Sequence, residues 1–245
     1  MTIDQHDDSL KSGFSIVEML VVVGLIGLLL AITIPAIARS RQSARHGSIQ
    51  ATTRQHLTIF QLYLGDYRDV HPWFGMPDES GRLNLSLPNG GSPYQAYYFE
   101  TCSAWAIPMA SYYSDMWPHA SQTYPGPIGT ARYLYSCAMI ADPAFWNTRS
   151  RLGASQWRAT RSSEVRYPAR KALITGAVDQ EPFPDWISDG LTLGLCDGAV
   201  RFILKPDLCL PVVAGDGPSL GLYHVRGYYG LDTVDGVHGV DVSPQ

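Results

Sequence analysis

Gly13-Phe14-Ser15-Ile16-Val17-Glu18-Met19-Leu20 opens an apolar run that continues to Ile37, and its reading decides the fold. From Phe14 to Ile37 the only charged residue is Glu18. As a helix rising 1.5 Å per residue, about 24 such positions reach about 36 Å, enough to cross a hydrocarbon core of ~30 Å. Glu18 sits near one end of the run. A carboxylate is less costly there than at mid-membrane, where a charge costs ~3 kcal/mol on insertion scales. It still asks for a reason, because an ionisable group in such a segment is a functional candidate by default. The plainer alternative is a signal anchor that carries a Glu incidentally.

The helical pattern does not stop at Ile37. Pro35 lies inside it, removes one backbone donor and crowds the carbonyl of Ala31, so a kink or local melting is expected there. Beyond it, Ile49, Thr53, Leu57, Phe60, Leu64 and Tyr67 recur at steps of three and four, one face of an amphipathic helix. Gly65 and then His71-Pro72 break the pattern, which places the helix end near Asp66. The first half is apolar all round and suits a bilayer. The second half has one stripe to lay against a globular body.

Gly13, Phe14 and Glu18 resemble the cleavage and methylation motif of type IV prepilins and type II secretion pseudopilins. In that family a short polar leader ends in Gly, and the mature chain begins with Phe, carries Glu at its fifth position and continues as a hydrophobic helix. Lys11-Ser12-Gly13 closes a leader of that kind here, and Glu18 is fifth from Phe14. Pro35 stands where many pilins have a helix-bending proline. The resemblance implies removal of residues 1–13 by a prepilin peptidase after Gly13, with N-methylation of Phe14 as a further step. It implies Phe14, Glu18 and Pro35 as processing and assembly residues, and other pilin or pseudopilin subunits as partners. It also implies a single-pass inner-membrane protein with an extracytoplasmic body, in a type IV pilus or a secretion pseudopilus at the cell surface or in the periplasm. The fold implied is α+β, a long N-terminal helix packed on a C-terminal antiparallel sheet.

The divisions that follow are leader 1–13, transmembrane helix 14–37, amphipathic continuation 38–66 and globular domain 67–245. Two features depart from the family pattern. The leader is acidic (Asp4, Asp7 and Asp8 against Lys11), and Arg39, Arg41, Arg45 and Arg54 follow the apolar run with no acid among them. The positive-inside rule alone puts that basic side in the cytoplasm. The resemblance puts the leader there instead, because the peptidase site is cytoplasmic. A secretory signal peptide fits less well, since the run is long for an h-region and lacks a clear small-residue cleavage site.

A chain of 245 residues leaves about 180 for one domain with a real core. The net charge of −4 gives no reason to expect nucleic acid as a partner. The 23 Gly and 17 Pro point to many turns and a β-containing body. Between residues 72 and 162 a loop is expected at Pro88 to Pro93 and another at Trp117 to Pro127. A helix is expected around Cys102 to Met109, cut by Pro108, and a strand from Tyr133 to Cys137.

Lys171 to Thr175 reads as a strand, followed by an acidic Pro-rich loop from Asp179 to Asp189. Leu191 to Leu204 is the best β signal in the chain, with Asp197-Gly198 at its middle, a pair favoured in two-residue hairpin turns. Such a turn opposes Cys196 with Ala199, Leu195 with Val200, Leu193 with Phe202 and Leu191 with Leu204. The face holding those leucines and Phe202 is expected to cover the helix near Leu57, Phe60 and Leu64. This region resembles the C-terminal part of a group of prepilin-like proteins common in planctomycete-type bacteria, which share a Pro, short spacer, Lys and apolar strand, then an Asp-Gly hairpin. That group usually has a His ten residues before the Asp; here the position holds Ile187.

Four cysteines, Cys102, Cys137, Cys196 and Cys209, allow three pairings in an oxidising compartment, and buried free thiols are the equal alternative. Cys196 and Cys209 are the candidate pair, a loop of about a dozen residues worth ~3 kcal/mol on the chain-entropy model. No nucleophile elbow, zinc-protease pair, phosphate loop or dinucleotide fingerprint is present, so no enzymatic activity and no cofactor are expected. Asp232, Asp235 and Asp241 lie in a Gly-rich stretch that could hold calcium but fits no EF-hand loop; a solvated turn is the expectation, and no metal site is assigned. Two functions remain: a cleaved, assembling pilin-like subunit, or a membrane-tethered binding domain that never polymerises.

Overall fold

The computed structural model of the chain describes residues 15–79, 82–86, 94–113, 133–176, 190–212 and 230–244. Gly13 and Phe14, the leader, the loops expected at Pro88 to Pro93, Trp117 to Pro127 and Asp179 to Asp189, and the position of Ile187 lie outside those residues. The chain divides into two compact units, Met1–Arg45 and His46–Gln245. The fold is α+β: a long N-terminal helix, with an antiparallel sheet in the C-terminal part.

Helix α1 runs from Ile16 to Asp66 and is helical through Pro35, so the expected melting does not occur. In the second unit its buried residues are Thr53, His56, Leu57, Ile59, Phe60 and Tyr63, with Ile49 partly buried. The stripe is thus the expected one, widened by His56, Ile59 and Tyr63, while Tyr67 is exposed. Phe60 explains the tight docking. Its ring stacks between Trp105 at 5.2 Å and Tyr135 at 5.3 Å between centroids. The helix ends in a turn in which Arg68 and Asp69 both adopt positive φ, and Val70 then bridges to Arg161.

Two sheets follow. Strands β1 (Arg82–Leu85) and β2 (Tyr94–Tyr97) form an antiparallel pair that the sequence reading did not contain. Strands β3 (Tyr133–Tyr135), β4 (Ala172–Gly176), β5 (Gly190–Leu195) and β6 (Val200–Leu204) form a four-stranded antiparallel sheet in the order β3-β4-β5-β6. The helix expected around Cys102 to Met109 is instead two 3-10 helices, Tyr98–Ser103 and Ile107–Met109, and a single α turn, α2, at Ala110–Tyr113. Pro108 removes the donor an α-helix needs there. The strand expected to Cys137 stops at Tyr135 and gives way to a 3-10 helix, Cys137–Ile140.

The hairpin β5–β6 forms, but one residue out of the expected register. Its loop is three residues, Cys196-Asp197-Gly198. Leu195 N–H donates to Ala199 O (2.8 Å) and Gly198 N–H to Leu195 O (3.0 Å), with Gly198 at φ 87°. This is the three-residue solution in which a glycine takes the left-handed position. Asp197 favours it by accepting Ala199 N–H on its carboxylate (2.9 Å). The strand pairs become Leu193 with Arg201, Thr192 with Phe202 and Gly194 with Val200.

A slip of one residue exchanges the faces. Leu191, Leu193 and Leu195 therefore do not cover α1. They join Ala172, Ile203, Leu208 and Val242 in a second core on the far side of the sheet. The face toward α1 carries Ile174, Gly176, Thr192 and Gly194. A Cβ on Gly194 would stand 2.7 Å from Ile174 Cγ2, 2.9 Å from Thr53 Cγ2 and 3.1 Å from Leu57 Cδ1, so glycine sets how closely helix and sheet approach. Phe202 is half-buried with its ring 5.1 Å from that of His46.

Candidate functional site

The first turn of α1 is built by two side chains. Ser15 Oγ accepts Val17 N–H (3.3 Å), and Glu18 Oε2 reaches back to accept Ser15 N–H (2.9 Å). Each satisfies a donor that the helix start leaves open, as in a capping box except that the serine bonds the N–H two residues on rather than three. The resemblance implies processing and assembly roles for Glu18; capping is a further one. The Ser-x-x-Glu spacing of Ser15 and Glu18 was the signal for this further role. From Ile16 to Ile37 the large apolar side chains are exposed, Ile16 at 84%, Leu20 at 72% and Ile37 at 51%. The helix is long and apolar enough to span a membrane. Arg39, Arg41 and Arg45 follow, all exposed. Of the residues singled out for processing, the structure describes Glu18 alone. Pro35 lies in the same exposed segment.

In the body, the candidate pair Cys196 and Cys209 are half-buried thiols, free as all four cysteines are. Cys196 opens the hairpin loop, where its N–H donates to Lys171 O (2.9 Å). Cys209 N–H donates to Asp241 O (2.9 Å), and its sulfur lies 3.8 Å from Ser243 Oγ. The two residues thus join different neighbours. Cys102 and Cys137 are free and buried.

The three tail aspartates do not converge. Asp241 is buried and paired with Lys171, Nζ to Oδ2 2.8 Å. Its carboxylate also accepts Ala172 N–H (2.8 Å) and the Thr233 hydroxyl (2.5 Å), while Thr233 Oγ1 accepts from Lys171 Nζ. Asp235, at φ 59°, accepts from Asn147 Nδ2 (3.0 Å). Asp232 is buried elsewhere, beside Cys137. Among the described residues no group of His, Cys, Asp and Glu is placed to hold a metal ion.

Two histidines are buried where neither can act on a solute. His56 shares a hydrogen bond between Nδ1 and the Tyr113 hydroxyl (2.9 Å) and packs on Trp105 and Tyr133. Burial lowers its pKa to about 4. His71 is 1% exposed, and burial, with a smaller push from Lys171 against the pull of Glu164, takes its pKa to about 4. Arg158 grips Glu164 through both terminal nitrogens (3.0 and 2.6 Å) and Asp142 through Nε (3.1 Å), bracing the Asp142–Glu164 segment. An open pocket of about 290 Å³ is lined by Pro143, Asn147, Ser150, Arg166, Asp235 and His238. It brings one guanidinium beside a carboxylate and an imidazole, without a nucleophile and base in hydrogen-bond contact.

No known protein family, curated protein or solved structure matches the chain.

Proposed function

We propose that the chain is a prepilin-like structural subunit. On this reading a prepilin peptidase removes the leader after Gly13, the new amine at Phe14 is a candidate for N-methylation, and the Phe14–Ile37 segment holds the protein in the inner membrane before packing against copies of itself in a pilus or secretion pseudopilus. The observation that carries the reading is the change of character along one helix. Its first half presents apolar side chains to its surroundings on every side, and its second half is buried against the antiparallel sheet of the body. A helix of that kind has a use for its exposed half in lipid and, afterwards, in a bundle of like helices.

Glu18 fits this role by position. Its carboxylate already reaches back to Ser15 N–H, one residue from the Phe14 nitrogen. Cleavage turns that nitrogen into an ammonium, which Glu18 can neutralise within its own helix or on an adjacent one. An unpaired charge in an apolar bundle costs several kcal/mol, so pairing fixes axial register as well. Glu18→Ala is expected to be inserted and cleaved normally and to assemble poorly, read by electron microscopy of surface filaments labelled with antibody to the body. Filaments at normal yield from the variant refute the pairing role. Wild-type protein found only as dispersed membrane monomers favours a tethered binding domain.

A further inference from the structure

Cys102 and Cys137 come from segments of the body whose sequences do not announce a pairing. Cys102 lies in the 3-10 helix Tyr98–Ser103, and Cys137 starts the 3-10 helix Cys137–Ile140. The two 3-10 helices are tied together. The Tyr98 hydroxyl donates to Ile140 O, and the Cys137 sulfur lies 3.9 Å from Phe99 O. In a 3-10 helix the carbonyl of residue i is aimed at the N–H of residue i+3, so the oxygen that Cys137 meets is the one turned toward Cys102. Both cysteines belong to one aromatic core, Cys102 at 3% and Cys137 at 1% exposure. After burial itself, Cys102 is the main influence keeping the Cys137 thiol protonated.

We propose that Cys102 and Cys137 form the structural disulfide of the body, and that Cys196 and Cys209 stay reduced. The proposal rests on the extracytoplasmic placement argued above, since such bonds persist only where the compartment is oxidising. The two thiols give up two protons and two electrons as the sulfur–sulfur bond forms. The acceptor is a disulfide, either that of a thiol–disulfide oxidoreductase in the cell or glutathione disulfide in a buffer, which is reduced to two thiols. Exchange proceeds through a thiolate, and the folded core suppresses that form of Cys137. The bond therefore closes while the chain folds, before Trp105, Tyr135 and Phe60 seal the core.

The test is peptide mapping of the full-length chain, extracted from membranes into detergent and alkylated under denaturing, non-reducing conditions. A second sample is reduced, denatured and refolded in glutathione redox buffer before the same mapping. The expected result is a Cys102–Cys137 linked peptide in both samples, with Cys196 and Cys209 alkylated. Linkage after refolding but not in the membrane extract supports the pairing and counts against the extracytoplasmic placement. Four alkylated cysteines in both samples, or Cys102 or Cys137 bonded to Cys196 or Cys209, overturns the proposal. Cys102→Ala is a control that must leave Cys137 alkylated.

Discussion

Lys171 has a side chain with 0% exposure, and its ammonium is held by Asp241, 70 residues along the chain, and by Thr233, 62 residues along. Breaking one side of such a pair leaves a buried charge, at a cost of about 3–5 kcal/mol. Asp241→Ala does this to the ammonium, and at about 2–4 °C per kcal/mol for a protein of this size the melting temperature is expected to fall by ~6–20 °C. Lys171→Met is milder, because the carboxylate left behind keeps the Ala172 N–H and the Thr233 hydroxyl. The double variant holds no buried charge, so it is expected to be less destabilised than the sum of the single ones by at least about 2 kcal/mol. The assay is thermal unfolding of the full-length chain in detergent, followed by Trp fluorescence, for wild type, both single variants and the double. Additivity within about 0.5 kcal/mol, or an Asp241→Ala effect below about 1 kcal/mol, refutes the reasoning.

Stability is expected to fall on mild acidification. His56 and His71 titrate near 4 when folded and near 6.5 when unfolded, so the unfolded chain takes up protons first as the pH drops. Their contribution is complete above 6.5 and is lost towards 4, about 2 kcal/mol for each at pH 5. Glu164, whose pKa is lowered by Arg158, loses its contribution only below the ordinary carboxylate range, so a melting series from pH 7.5 to 5 isolates the histidines. A flat series contradicts their burial as neutral rings. Gly194→Val is expected to destabilise by about 1–3 kcal/mol through overpacking against Ile174, Thr53 and Leu57, measured by urea unfolding; an unchanged midpoint means that helix and sheet do not approach as closely as described.

The long helix was legible because its signals are local and redundant. An uninterrupted apolar run, a stripe at three and four residues and a glycine near the end all agree, and α1 ends at Asp66 as read. The hairpin was legible for the same reason, through Asp197-Gly198. Its facing was not. Two- and three-residue loops differ by where pairing begins, and the choice sets Leu193 opposite Arg201 rather than Phe202, so that Phe202 and the leucines end on opposite faces. The aromatic 3-10 segments around Cys102 and Cys137 are too short for a period to show. The partner of Lys171 could not be read either. Asp241 sits in a Gly-rich tail with the composition of a solvated turn, and only the tertiary fold returns it to the start of β4. For Glu18 the position was readable, and the capping role could have been taken from Ser15-Ile16-Val17-Glu18.

The central claim is that the chain is a processed prepilin-like subunit held in the membrane by the Phe14–Ile37 segment. Intact-mass analysis of the protein extracted from the membranes of its native host tests this most directly. The expected mass is that of a chain beginning at Phe14, alone or with one added methyl group. A mature chain that begins at Met1, or beyond Ile37, contradicts the account.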